Sequence, residues 1–311
     1  MGRITAASFP TPDIVKTTNN PAAWDQLGAF AAVQAAEANE ALALLDERLA
    51  VCTTHAERAD AFESAYRHVA EWRHKVAAEG QWTRPNSDAE DMRAPITVGR
   101  LYRLTPTVGL REPGSPAFKM LTELEQTALR RLDGAESGRN VVRLRDGREV
   151  KGNALVFEKA HGFLPDEVKT LTAENQDREV LRRASFETLA DLETLREERG
   201  GLDPHDPELR QAFSDASYFL IQGPEFKRGT DAIMRTFLVA AHTRVFDAAP
   251  VLPQGIDLDG MVRGQEAFGQ VMREQLRVVP RPTNQARAPF SLGEREDDRH
   301  VSPRRTSEMG R

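Results

Sequence analysis

The feature that most limits the fold is a helical hydrophobic period that runs through most of the chain and gives way once to a period of two. Phe62, Tyr66, Val69, Trp72 or Arg73, and Val76 recur every three or four residues until Gly80, which places them on one face of an amphipathic helix and ends it with a glycine. Trp24, Leu27 and Phe30 lead through an alanine-rich run to Leu42, Leu45 and Leu49 in the same manner. After the break Pro113-Gly114-Ser115-Pro116, the segment Phe118 to Leu132 keeps Met120, Leu121, Leu124, Ala128 and Leu132 in helical register. Then the period changes. Val141 to Val150 reads as two alternating runs about the turn pair Asp146-Gly147, a β-hairpin, with Ala154 to Phe157 as a candidate further strand. Helical patterns resume at Asp177 to Arg199, Pro207 to Leu220, Ala232 to Phe246 and Asp259 to Leu276. The expected fold is mainly α and bilobal: a helical body from residues 23–112 and 177–280, with a small α+β lobe inserted at residues 113–176. Residues 1–22, with Pro10, Pro12, Asn19 and Asn20, and residues 281–311 have no apolar stripe and are expected to be flexible tails.

Charge and composition exclude several function classes. Acidic residues outnumber Lys and Arg 48 to 42, giving a formal net charge of −6, which does not suit a general binder of nucleic-acid backbone. No apolar run reaches membrane-spanning length, and the first residues lack the hydrophobic segment of a secretory signal peptide. Met1-Gly2 is followed by Ala6 where a myristoylation motif requires Ser or Thr. The single cysteine, Cys52, has no disulfide or zinc partner and reads as a small hydrophobe at a helix end.

Chemistry concentrates at Pro224-Glu225-Phe226-Lys227-Arg228-Gly229-Thr230-Asp231, a basic turn that runs straight into an apolar helix. Such a turn joins Lys227, Arg228, backbone N–H groups and the positive end of a helix dipole at one point, the outline of a phosphate site. Thr230 or Asp231 can serve as the N-cap. Downstream, Gly255-Ile256-Asp257-Leu258-Asp259 offers a carboxylate at the start of the last helix, where either aspartate can also act as an ordinary cap. An ordinary capped helix with solvated basic residues before it accounts for the Pro224 to Asp231 segment equally well.

Several short motifs, in order along the chain, carry a family resemblance. They are Phe62-Glu63 with Glu71-Trp72-Arg73; Ala94-Pro95-Ile96-Thr97 with Arg100 and Tyr102; Gly152-Asn153; Arg228-Gly229; and Asp257, Met261, Gly264, Glu266 and Phe268. Together they resemble the AvrB family of bacterial type III effectors, within the wider Fic/Doc/AvrB or Fido fold. The resemblance spans most of the body and neither tail. It implies a Fido-like bilobal protein with a nucleotide or nucleotide-sugar pocket between the lobes. It also implies a rhamnosyltransferase-like activity that moves a deoxysugar from UDP- or dTDP-rhamnose to Thr or Ser of a host immune-regulatory protein, with no metal and no further cofactor. The protein would then be a virulence factor of plant immunity, delivered by a type III system to the host cytoplasm, in solution or at a membrane.

Carried over by position, the pocket residues are Thr97, Arg100, Tyr102, Lys227, Arg228, Gly229 and Asp257, with Arg228 and Asp257 catalytic. Arg228 would stabilise the diphosphate charge that grows as the sugar bond breaks. Thr97 would bond a phosphate or sugar hydroxyl, and Asp257 would bind sugar hydroxyls or take the acceptor's proton. Two departures bear on mechanism. Residues 224–232 contain no histidine, so AMP transfer of the adenylylating Fido kind is not expected, and Leu181-Arg182-Arg183-Ala184 stands where the family carries a pocket histidine. The alternative is therefore a catalytically degenerate Fido-fold effector that binds a host protein and a nucleotide or nothing, with divergent nucleotidyl transfer a distant third. Elsewhere, His68 and His74 do not share a helix face as a metal pair would, His205-Asp206 reads as helix-start chemistry, and His242 reads as a packed histidine.

Overall fold

The computed structural model describes residues 3–81, 88–97, 99–107, 109–160 and 166–279; the expected C-terminal tail at 281–311 lies outside them. Among the described residues the fold is mainly α, with eight α-helices and a small antiparallel sheet. The helical part consists of α1 (Pro21–Leu49), α2 (His55–Ala78), α4 (Asn175–Arg199), α5 (Pro207–Gln222) and α6 (Thr230–Phe246). Their starts follow local chemistry: Thr54 and Glu57 form a capping box on α2, and Asp206 caps α5 ahead of Pro207 at the first helical position.

Helix α6 buries nearly all of its residues and therefore sits inside the body rather than on it. Phe237 of α6 meets Tyr66 of α2 and Phe186 of α4 edge-on, at 5.6 and 5.9 Å between ring centroids. The three helices thus share one aromatic centre with the spacing such rings prefer.

The lobe combines α3 (Pro116–Leu132) with strands β1 (Leu101–Arg103), β2 (Ser137–Arg143), β3 (Glu149–Glu158) and β4 (Glu167–Leu171), in the order β1-β4-β3-β2. The Asp146-Gly147 turn joins β2 to β3, with Gly147 at φ +87°. Ala154 to Phe157 does not add a separate strand but continues β3, which pairs with both β2 and β4. The sheet draws on residues outside 113–176. Its edge strand β1 comes from residues 101–103, and the lobe core takes Leu258 and Val262 from α7 (Ile256–Arg263) alongside Leu121, Leu124 and Leu155.

Two further expectations change. The helix expected over Asp259 to Leu276 is two helices, α7 and α8 (Gln265–Gln275), separated by Gly264 at φ +80°, ψ 167°, which no helix accommodates. The N-terminal segment is not a free tail. It carries two short 3-10 turns and buries Ile4 and Phe9, with the Asn39 side chain bonding both the Ile4 N–H and its carbonyl. Farther on, the Lys16 and Thr17 carbonyls accept from Ala117 and Glu112, which fastens the same segment to the lobe. Short strands β5 (Pro250–Val251) and β6 (Arg277–Val278) pair at the end of the described chain.

Candidate functional site

A cavity of about 590 Å³ opens where the helical body, the sheet and the N-terminal segment meet. Its construction starts with backbone pairing. Residues 91–96 run antiparallel to the basic turn: Arg228 N–H donates to the Asp91 carbonyl at 2.9 Å, Lys227 N–H to Ala94 at 3.0 Å, and Ile96 N–H to Glu225 at 2.8 Å. This ladder fixes the turn and uses the Arg228 N–H, while the first turn of α6 has N–H groups without an intrahelical acceptor that can serve an anion. Neither Thr230 nor Asp231 is the N-cap. That position is Gly229, at φ +72°, where an added Cβ would lie 2.8 Å from Met92 Sδ and 3.1 Å from Arg73 Cγ. Conformation and space both require glycine there.

The cationic wall is formed by Arg228 from the turn, Arg100 from the start of β1 and Arg73 from α2. Arg228 Nε bonds Asp91 Oδ2 at 3.1 Å, which orients its guanidinium. Arg100 Nη1 donates to Thr230 Oγ1 at 3.4 Å, and its backbone N–H donates to Thr172 Oγ1 at 2.9 Å. Burial, followed by the positive charge of Arg228, holds the Arg100 guanidinium below its ordinary pKa, and burial does the same to Arg73. The desolvated Arg100, close enough to the half-exposed Arg228 to feel its charge beside a helix N-terminus, forms an arrangement that a bound anion would relieve. Tyr102 lies opposite Thr170 across the β1–β4 ladder, and both line the cavity together with Thr172.

The acidic contribution comes from two helix starts. Asp231 occupies the first turn of α6 and Asp257 the first turn of α7. Asp257 is not the cap of its helix, which is Gly255, and Asp259 does not cap it either, because its carboxylate is held by Arg263 at 2.5 Å. Between the two starts lies the buried Arg235, donating to Asp231 Oδ1 at 3.1 Å and to the carbonyls of Pro253 and Gln254 at 3.0 Å each. Burial, reinforced by the Asp231 carboxylate and opposed by Arg235, pushes the Asp257 carboxyl up to about 7. A carboxylate in that range can exchange a proton near neutral pH.

Of the residues expected from sequence, Arg100, Tyr102, Arg228, Gly229 and Asp257 line the cavity together. Thr97 and Lys227 do not. Thr97 is exposed at the end of the ladder, and Lys227 points to Asp91 with Nζ 3.8 Å from Oδ1. Sequence reasoning missed Arg73, Asp231, Thr170 and Thr172 as lining residues. Arg73 left a signal as a cation on the apolar stripe of α2, and Asp231 as the last residue of the basic turn, whereas Thr170 and Thr172 left none.

Outside the cavity, His242 is packed between Phe213 and Phe246 with Nδ1 2.7 Å from the Ala248 carbonyl, and burial pushes its pKa down to about 4. His68 and His74 pair with Glu37 and Glu90 at 3.2 and 2.9 Å, and Asp206, beside His205, caps α5. Among the described residues, no cluster of His, Cys, Asp and Glu could hold a metal ion and no helix is long and apolar enough to cross a membrane. No protein-family model matches the chain, and no curated protein matches it.

Proposed function

We propose that the cavity binds the diphosphate of a nucleotide sugar, and that the chain is a Fido-fold effector of the AvrB kind that transfers rhamnose to a Thr or Ser of a host immune regulator. The observation that carries this reading is the convergence of Arg100 and Arg228 on the N-terminus of α6, in the same cavity as the high-pKa carboxyl of Asp257. In the reaction, the acceptor hydroxyl oxygen bonds to the anomeric carbon as the bond from that carbon to the diphosphate oxygen breaks. The leaving diphosphate keeps the electron pair and is stabilised by the two guanidiniums. The hydroxyl proton passes to Asp257, whose carboxylate fraction is appreciable near neutral pH. Delivery to the host cytoplasm and a role in plant immunity rest on the resemblance alone.

Incubation with UDP- or dTDP-rhamnose and host-cell extract, followed by mass spectrometry, tests this. The expected product is a host protein heavier by one deoxyhexose, absent with Asp257→Asn. A second reading has a specific observation behind it. No histidine is among the described residues lining the cavity, and none of Leu181-Arg182-Arg183-Ala184, where the resemblance leads one to look for it, lines the cavity. If no sugar is transferred while the chain still captures nucleotide and a host protein, the degenerate binding module is the better description.

A further inference from the structure

The cavity divides its polarity by chain segment. Apart from Arg73, every charged lining residue comes from the sheet edge and the starts of α6 and α7, whereas the wall built by residues 9–31 carries no charge. That wall consists of the N-terminal segment and the first turns of α1, and its ring and branched side chains are Phe9, Pro12, Ile14, Val15, Leu27 and Phe30. Phe30 is stacked on Trp72 at 6.0 Å between ring centroids with an interplanar angle of 11°, and the Arg73 guanidinium lies over the Phe30 ring at 6.0 Å. Val15 is 43% exposed yet belongs to the cavity, so its apolar surface faces the space a ligand would fill. The segment is held at both ends, by Asn39 on the body and by Glu112 and Ala117 on the lobe, so the wall is preformed.

We propose that this N-terminal wall is the nucleobase half of the binding site, selecting a ligand with a planar, uncharged ring at one end and a diphosphate at the Arg100–Arg228 end. This rests on the diphosphate reading above and adds its orientation and its specificity-determining residues. A ring laid against Val15, Leu27 and Pro12 gains by leaving water, and an apolar wall without charge suits a base better than a phosphate. The charges opposite fix the other end.

Calorimetric titration of the full chain with UDP and with inorganic pyrophosphate tests the assignment, on wild type, Val15→Ser, and Val15→Ser with Leu27→Ser. Val15 is partly exposed, so its single variant keeps the fold, as thermal unfolding will verify. Wild type should bind UDP more tightly than pyrophosphate. The double variant should lose about tenfold in UDP affinity while its pyrophosphate affinity stays within about twofold, and the single variant should lose part of that. UDP affinity unchanged in the folded variants, or UDP binding no tighter than pyrophosphate in wild type, overturns the nucleobase assignment and leaves the diphosphate site standing. Binding of neither probe to wild type overturns both.

Discussion

Replacing Gly152 by alanine should cost far more than one methyl group suggests, because the space the methyl would take holds the joint between the sheet and α7. A Cβ at Gly152 would lie 2.3 Å from Gln222 Oε1, 3.0 Å from Val142 Cγ2 and 3.2 Å from Asn140 Cβ. Gln222 is fully buried and has nowhere to retreat: its Oε1 accepts from Asn153 N–H at 2.8 Å and its Nε2 donates to the Gly260 carbonyl at 2.8 Å. Next to it, the Asn140 and Asn153 side chains both donate to the Met261 carbonyl, at 3.1 and 2.9 Å. Moving Gln222 leaves a buried donor and acceptor unsatisfied at about 1–3 kcal/mol each, and overpacking adds about 1–3 kcal/mol. The expected loss is about 3–9 kcal/mol, a large part of the roughly 5–15 kcal/mol that holds a domain together.

Urea unfolding measures this directly as a lowered midpoint at constant slope. The mechanism has a sharper signature in a double-mutant cycle. Gln222→Ala removes the atom that would be struck, so adding Gly152→Ala to it should cost under about 1 kcal/mol, giving a coupling of about 2 kcal/mol or more. A Gly152→Ala cost below about 1 kcal/mol, or additive costs in the cycle, would refute the steric explanation. The consequence for function is geometric: α7 carries Asp257, so the same variant should also weaken any activity that depends on the position of that carboxyl.

Three further outcomes are expected. Phe9→Ala should destabilise the protein by about 3 kcal/mol or more, because Phe9 is 1% exposed; a melting temperature equal to wild type would show that the N-terminal segment is not packed as described. Arg228→Ala should weaken UDP binding by about 2 kcal/mol through loss of charge-assisted hydrogen bonds while leaving the melting temperature within a few degrees, and calorimetry on the folded variant decides it. Asp257 has a folded pKa raised to about 7, so the native state binds the extra proton and this group's contribution to stability falls as pH rises from its unfolded value toward 7. Asp257→Asn removes that dependence. Its stability relative to wild type should improve between pH 4 and 7 and level off above; a pH-independent difference in paired unfolding curves would mean that the carboxyl titrates normally.

Local order was legible wherever a rule acts over a few residues. The stripe Phe62, Tyr66, Val69, Val76 specified α2, and the Asp146-Gly147 pair specified the β2–β3 hairpin, because a helical period and a turn conformation are properties of neighbouring residues. The same locality made Arg228 and Gly229 recognisable, since a basic turn, a glycine and a helix start lie next to one another in sequence. Asp257 was reached through the collinear resemblance and not through periodicity.

Tertiary structure alone decided what has no local signal. Ile4 and Phe9 have no periodic partners, and they are ordered by Asn39 and by a core made elsewhere in the chain, so a stretch with the composition of a tail becomes a cavity wall. Strand β4, Glu167 to Leu171, mixes charges with its apolar residues and takes its identity from the ladders on either side of it. Gly264 divides the last helical pattern because α7 must turn into the lobe core while α8 packs on α5, a demand that periodicity does not express. The electrostatics of the cavity are of the same kind. That Arg100 would lie near Arg228, and Asp257 near Asp231, depends on residues brought together from different elements, and burial converts that proximity into shifted proton affinities. The sequence supplied the reactive groups; packing determined which of them share a dielectric and face one another.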